Sequence, residues 1–209
     1  MEKVREIIND LLVEGVLMWG VSFQDPGPPW IKVTKYGQKV LADEHPAPHD
    51  PDGYLSYLKR EVPGIDETIL AYTSEALHAY LRGLTLSSSV MLGCGSEKAF
   101  LLLLDSYAGT IADPEIKKKF EKETYGSIKR KLDRFRLEVP RFRDRLPKDL
   151  RDDLEIQLDA TFNLIRTTRN DAGHPTGKII DRQLAYANLR LFPPYCKRVY
   201  ELIRFFETN

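Results

Sequence analysis

Apolar residues recur every three to four positions through most of the chain, and this spacing predicts a protein built mainly from helices. Val4, Ile7, Ile8, Leu11, Leu12 and Val16 place an amphipathic helix over residues 1–17, with Gly15 near its end. Gly20 to Pro29 is a turn-rich break. Trp30, Ile31 and Val33 then suit a short strand, and Thr34 stands where its hydroxyl would cap a short helix ending near Leu41. Residues 45–53 hold three prolines and few apolar side chains, which puts a boundary near residue 50.

Beyond Gly64 the pattern is almost wholly helical. Residues 66–84 carry Ile69, Leu70, Tyr72, Leu77, Tyr80 and Leu81 on one face. Residues 87–107 are more apolar and read as the central helix, in which Gly93 and Gly95 would let another element approach closely. Pro114 opens a short charged helix through Tyr125, and a longer one is expected over 127–146, with Pro140 as the place for a bend. Leu154, Leu158, Phe162 and Ile165 form a buried stripe in a helix from Leu150 to about Gly173. A final helix over 181–207 would be interrupted at Pro193-Pro194. The expected fold is mainly α: a bundle of four to five long helices over residues 64–209, a linker over 51–63, and a small α+β module over 1–50.

Composition narrows the class without naming a function. The chain has 209 residues, of which 42% are hydrophobic and 30% charged, the profile of an ordinary globular domain rather than a disordered or disulfide-stapled one. Its longest apolar run, residues 99–104, is far short of the roughly 20 needed to cross a bilayer, and residues 1–6 do not lead into a signal-peptide core. A cytoplasmic protein without membrane attachment is the expectation. Cys94 and Cys196 have no metal-ligand spacing, so no metal or other cofactor is expected. The 31 basic and 31 acidic side chains cancel only overall: residues 1–112 are acidic, with 9 basic against 15 acidic, and residues 113–151 are basic, with 14 against 8. Such a basic segment suits either a polyanion or a helical pair laced with ion pairs.

One polar constellation stands out, the run from Arg166 to Pro175. Arg166, Asn170 and His174 recur every four residues and share a face wherever the helix persists, with Arg169 on the neighbouring face. Imidazole exchanges protons near neutral pH, and guanidinium fits phosphate oxygens bidentately. RNA carries its own nucleophile in the 2′-hydroxyl, so a proton-transfer group, a positive clamp and a polar orienter suffice to cut it without a metal. A second subunit facing the first would help these groups converge. The alternative is that His174 only closes a helix end before Pro175, where a cation meets the negative pole of the dipole.

Arg169-Asn170-Asp171-Ala172-Gly173-His174 resembles the arginine, polar residue, three variable residues, histidine motif of the HEPN superfamily (higher eukaryotes and prokaryotes nucleotide-binding domain). Gly93-Cys94-Gly95-Ser96-Glu97-Lys98-Ala99-Phe100 is similar to the early core helix of the subgroup often attached to restriction and anti-phage systems, so the resemblance covers roughly residues 64–209. It implies a metal-independent ribonuclease whose two motifs meet across a homodimer cleft, leaving a 2′,3′-cyclic phosphate and a 5′-hydroxyl, in the role of a defence or toxin effector. Residue by residue, it makes His174 the proton-transfer group, Arg169 the phosphate clamp and Asn170 the orienter, with Arg166 and Glu97 as substrate-binding or supporting residues. RNA is the implied substrate, and a defence-system or antitoxin protein a further partner. Thr176 stands where the branch paired with a nucleotidyltransferase antitoxin usually has tyrosine, a departure from that branch. The N-terminal strand and short helix resemble the tail of a winged helix, with Lys32, Lys35 and Lys39 as its basic residues.

The rival expectation is a non-catalytic HEPN-like module that binds a nucleotide, RNA or protein partner. A DNA-binding regulator is a weaker third, because residues 1–60 hold seven basic side chains against nine acidic ones.

Overall fold

A computed structural model describes residues 2–13, 15–42, 48–152, 154, 158, 160–175 and 177–208, without side chains for 2, 3 and 39–42. The chain divides into two compact units, residues 1–47 and 48–209. It is mainly helical, with a small hairpin-and-helix module at the start.

In the first unit, helix α1 (Glu2–Val13) is followed by strands β1 (Leu17–Trp19) and β2 (Ile31–Val33) and helix α2 (Lys35–Ala42). The strands pair antiparallel, with Leu17 opposite Val33 and Trp19 opposite Ile31. The first helix stops short of residue 17, because Gly15 adopts a left-handed φ of 75° and turns the chain into a strand that apolar spacing alone read as helix. Thr34 caps α2 as expected: its Oγ1 accepts from the Gly37 amide at 2.9 Å and donates to the Gly15 carbonyl at 2.6 Å. The Lys39 side chain and residues 43–47 of the expected boundary lie outside the described residues.

The second unit begins where a linker was expected. Residues 51–63 are instead mostly helix α3 (Pro51–Glu61), started by Asp50, whose Oδ1 accepts from the Gly53 amide at 3.0 Å. Its Tyr54 and Leu58 are fully buried. Helix α4 (Glu67–Leu81) is capped by Asp66 and lies along α5 (Thr85–Gly109), the central helix, which also packs on α10 (Thr161–Gly173) and α11 (Arg182–Thr208). Between them run the shorter α6 (Pro114–Glu123), α7 (Ile128–Arg136), α8 (Val139–Phe142) and α9 (Lys148–Arg151).

Two departures from the periodic reading have physical causes. The helix expected over 127–146 breaks after Arg136, and the break serves packing: in a straight helix Phe135 and Phe142 would be about 10 Å apart along the axis, whereas here their rings lie 5.9 Å apart and both reach the Tyr107 ring, at 5.7 and 5.6 Å. The helix expected over 150–173 is likewise interrupted at Asp152, which is extended. Its predicted stripe of Leu154, Leu158, Phe162 and Ile165 is nonetheless buried, while residues 153, 155–157 and 159 lie outside the described ones.

The prolines of α11 do not interrupt it. Pro193 has no N–H to offer the Leu189 carbonyl four residues earlier, and the Tyr54 hydroxyl of α3 donates to that carbonyl instead, at 2.6 Å. The hydroxyl is buried and hydrogen-bonded, and burial pushes its pKa up. Tyr54→Phe leaves a buried carbonyl without a donor and is expected to cost about 1–3 kcal/mol in urea unfolding, with the m-value unchanged. A loss below about 0.5 kcal/mol, the scatter of neutral surface changes, would mean the carbonyl is satisfied otherwise.

The basic excess of residues 113–151 is partly spent inside the fold. Arg134 pairs with Glu123 and Glu138, Arg136 with Asp133, and Arg141 with Glu138, while Lys118, Lys119, Lys122 and Lys129 are exposed.

Candidate functional site

Arg166, Asn170 and Arg169 stand on the last two turns of α10, where the helix runs antiparallel to α5: Phe162 meets Phe100 at one end, and residues 171–173 lie by Thr85 and Leu86 at the other. The helix ends at Gly173. His174 follows the last helical residue as its cap: its backbone is extended at φ −102°, ψ 142°, while its N–H still donates to the Asn170 carbonyl at 3.0 Å, the bond of one further helical turn. A glycine before and a proline after His174 make continuation of the helix unfavourable.

The structure brings three of the expected residues together. Arg169 Nη1 donates to Asn170 Oδ1 at 3.2 Å, and Arg169 Nε lies 3.8 Å from Glu97 Oε1 across the seam between α10 and α5. Both of these last two atoms are buried without a hydrogen-bond partner, so the pair is held by charge alone and can exchange its partner for a stronger one. Arg166 Nε, one turn earlier, is in the same condition. Glu97 thus reaches the arginine that the motif marks, one helical turn from Gly93.

Gly93 explains how the two helices come so close. A Cβ at that position would collide with the Cβ and Cγ of Arg169, so the arginine stem lies in a notch that only glycine leaves open. Gly95 serves the other side of α5, where an added Cβ would sit 3.7 Å from the Ile69 carbonyl of α4 and 3.5 Å from Phe192 of α11. Gly93→Ala must push the root of the Arg169 side chain. The expected cost is about 1–3 kcal/mol from overpacking, offset by about 1 kcal/mol of helix propensity. Thermal unfolding of the variant beside the parent chain measures the balance, and a variant as stable as the parent would mean that the notch yields without cost.

His174 is exposed and faces an open depression of about 540 Å³ that it shares with Thr85 and Leu86 of α5 and with the segment after Pro175. Lys178 Nζ donates to Asp171 Oδ2 at 2.9 Å and ties that segment back to α10. Leu84, Leu86 and Ile179 give this region an exposed apolar margin, Ile179 being 91% exposed. Sequence periodicity did not single out Thr85, Leu86 or Lys178, because the segment after Pro175 is irregular and comes back to α10 through a contact between residues seven apart in the chain. Thr176 lies outside the described residues. Among the described residues no group of three or more His, Cys, Asp or Glu could hold a metal ion, and no helix is long and apolar enough to cross a membrane.

Compared with protein-family models, curated proteins and solved structures, the chain matches none of them.

Proposed function

We propose that the chain is a metal-independent endoribonuclease of the HEPN type, acting as a homodimer whose active site lies where two copies of the α10 end face each other. The observation that carries this reading is the lodging of Arg169 in the Gly93 notch between Asn170 and Glu97, a few residues before a solvent-facing His174. The motif resemblance over Arg169 to His174 supports it.

In the proposed reaction the 2′-oxygen attacks the adjacent phosphorus while its proton passes to a base, and the bond from phosphorus to the 5′-oxygen breaks as that oxygen gains a proton. The products are a 2′,3′-cyclic phosphate and a 5′-hydroxyl. His174 moves the proton, and in a dimer the two copies divide the roles of base and acid. Arg169 leaves the loosely held Glu97 carboxylate for the phosphate, whose charge grows in the transition state, and Asn170 fixes the direction of the guanidinium. Arg166 adds a second positive charge on the same helix. A toxin or defence role in the cytoplasm, restrained or triggered by a protein partner, is the biological setting this chemistry suits.

A test of the chemistry is an RNA carrying a single 2′-deoxy substitution at a mapped cut. Cutting at that one position is expected to vanish while neighbouring cuts persist; continued cutting there would assign another nucleophile. The second reading, a non-catalytic module binding RNA, a nucleotide or a protein, is favoured by one observation, the exposed apolar margin of Leu84, Leu86 and Ile179 beside His174.

A further inference from the structure

We propose that the turn between α6 and α7 is a docking site for single-stranded RNA, with lysines for the phosphates and the Tyr125 ring for a base. The choice of RNA as the polyanion rests on the ribonuclease reading; the surface itself does not. Lys117, Thr124 and Lys131 lie beside Leu104 and Ala108 at one end of α5, whereas residues 171–173 lie by Thr85 at the other. At 1.5 Å per residue those ends are about 30 Å apart, so the turn would hold the strand well away from His174.

Charge is the first argument. Residues 117–131 hold seven basic side chains and two acidic ones. One of those acids, Glu123, is taken by Arg134, which comes from beyond the segment. The pairs that lace this region together therefore use Arg134, Arg136 and Arg141, not the lysines. Lys118, Lys122 and Lys129 are exposed and enter no ion pair among the described residues. Arg130 Nε and Lys131 Nζ donate to the carbonyls of Glu123 and Thr124, at 3.0 and 2.6 Å, so neutral groups hold them in place and leave their charge uncancelled. Such a concentration of one sign attracts a polyanion.

Geometry is the second. Phe120 is buried, which turns Lys118 and Lys122, two residues to either side of it on the helix, to the outer face of α6. The turn that follows is fixed by its own bonds. The Thr124 hydroxyl donates to the Phe120 carbonyl at 2.9 Å, Gly126 takes a left-handed φ of 110°, and Ser127 Oγ accepts from the Arg130 amide at 3.3 Å. Tyr125 stands between these anchors and is 80% exposed. It is three residues from Lys122 and four from Lys129, so chain reach alone keeps their backbones within about 14 Å of its own. A ring on a fixed backbone, flanked by cations, stacks an unpaired base at little ordering cost, and a duplex offers no such base. A membrane surface is a poorer match, because α6 turns Phe120 inward and presents lysines.

The test is fluorescence anisotropy of the full chain with a labelled, mixed-sequence RNA strand of about 15 nucleotides, titrated over a range of salt concentrations. Every ribose of the strand is 2′-O-methylated, so it cannot be cut by its own 2′-oxygen. Replacing Lys118, Lys122 and Lys129 together by Gln is expected to weaken binding at about 0.1 M salt by about tenfold to a hundredfold. It should also flatten the dependence of log K on log salt by about 2, at about 0.7 for each lost phosphate contact. Tyr125→Ala is expected to weaken binding by about fivefold to a hundredfold with the salt slope kept. Removing the same three charges at the exposed Lys32, Lys35 and Lys59 should change neither quantity. All these side chains are exposed, so the variants are expected to unfold at the Tm of the parent. Binding undiminished in the lysine variant or in Tyr125→Ala, an equal loss in the control, a duplex held as tightly as the single strand, or uptake by phosphatidylserine vesicles in place of the RNA would overturn the proposal. RNA that binds at the turn but is never cut in its unmodified form would sink the ribonuclease reading alone; cutting by a chain whose binding ignores these substitutions would sink this site alone.

Discussion

His174→Ala is expected to lower the single-turnover rate constant of RNA cleavage by about 10²- to 10⁴-fold, the usual contribution of a positioned general acid or base. The structure makes this variant unusually clean. Residue 174 closes α10 through its backbone N–H on the Asn170 carbonyl, which alanine keeps, and its side chain is exposed. Stability should therefore stay within about 0.5 kcal/mol of the parent chain. Arg169→Ala makes an informative companion, because it removes the guanidinium but also empties the Gly93 notch, so loss of activity there comes with a measurable change in Tm. A His174→Ala protein that cuts as fast as the parent would remove the imidazole from the mechanism.

The largest stability effect is expected at Glu138. This carboxylate is buried, accepts from the Tyr107 hydroxyl at 2.6 Å, pairs with Arg141 at 2.8 Å and also with Arg134. Burial by itself would raise its pKa, but the Tyr107 hydroxyl and the two guanidinium groups together hold it below the ordinary carboxylate value. Glu138→Ala leaves the Tyr107 hydroxyl without its acceptor and strips Arg134 of one of two carboxylates. The expected cost is about 3 kcal/mol, at the low end for breaking a buried pair because Arg134 keeps Glu123 and Arg141 is largely solvated. For a chain of this size that is about 6–12 °C in Tm. Because the folded-state pKa of Glu138 is depressed, its contribution is fully present above the unfolded-state value of about 4.3 and is lost as pH falls through the lower folded value. The parent chain should thus lose more stability than Glu138→Gln on acidification below about pH 4–5. Parallel acid-unfolding curves for the two would show that the network does not hold the carboxylate ionised.

What the sequence made legible, and what it hid, follows from how far each determinant reaches along the chain. Local periodicity was enough for α4, α5 and the buried face of residues 154–165, because those side chains point to one core and repeat every turn. The notch at Gly93 was legible as a place of close approach, though nothing local said that the arginine of the motif would fill it. The continuity of α11 was hidden because its explanation lies 135 residues away, in the Tyr54 hydroxyl that serves the Leu189 carbonyl. The same contact explains why residues 51–63, rich in polar and breaking residues at their start, fold as a helix in the core rather than a linker. The break after Arg136 was hidden for a related reason: it is decided by where Phe135 and Phe142 must meet Tyr107, not by residues 137–140 themselves. At the site, the motif marked Arg169 and Asn170 but not their contact with Glu97, which depends on how α10 lies against α5, whereas the end of the helix at His174 was signalled by the flanking Gly173 and Pro175.

The measurement that bears most directly on the proposed chemistry is cleavage of an end-labelled, mixed-sequence single-stranded RNA by the purified chain in excess EDTA, with the fragment ends identified. Fragments ending in 2′,3′-cyclic phosphate and 5′-hydroxyl, formed by the parent chain and absent with His174→Ala, are the expected result. RNA left intact by the folded chain, or cutting that stops in EDTA, would contradict metal-independent catalysis at Arg169 and His174.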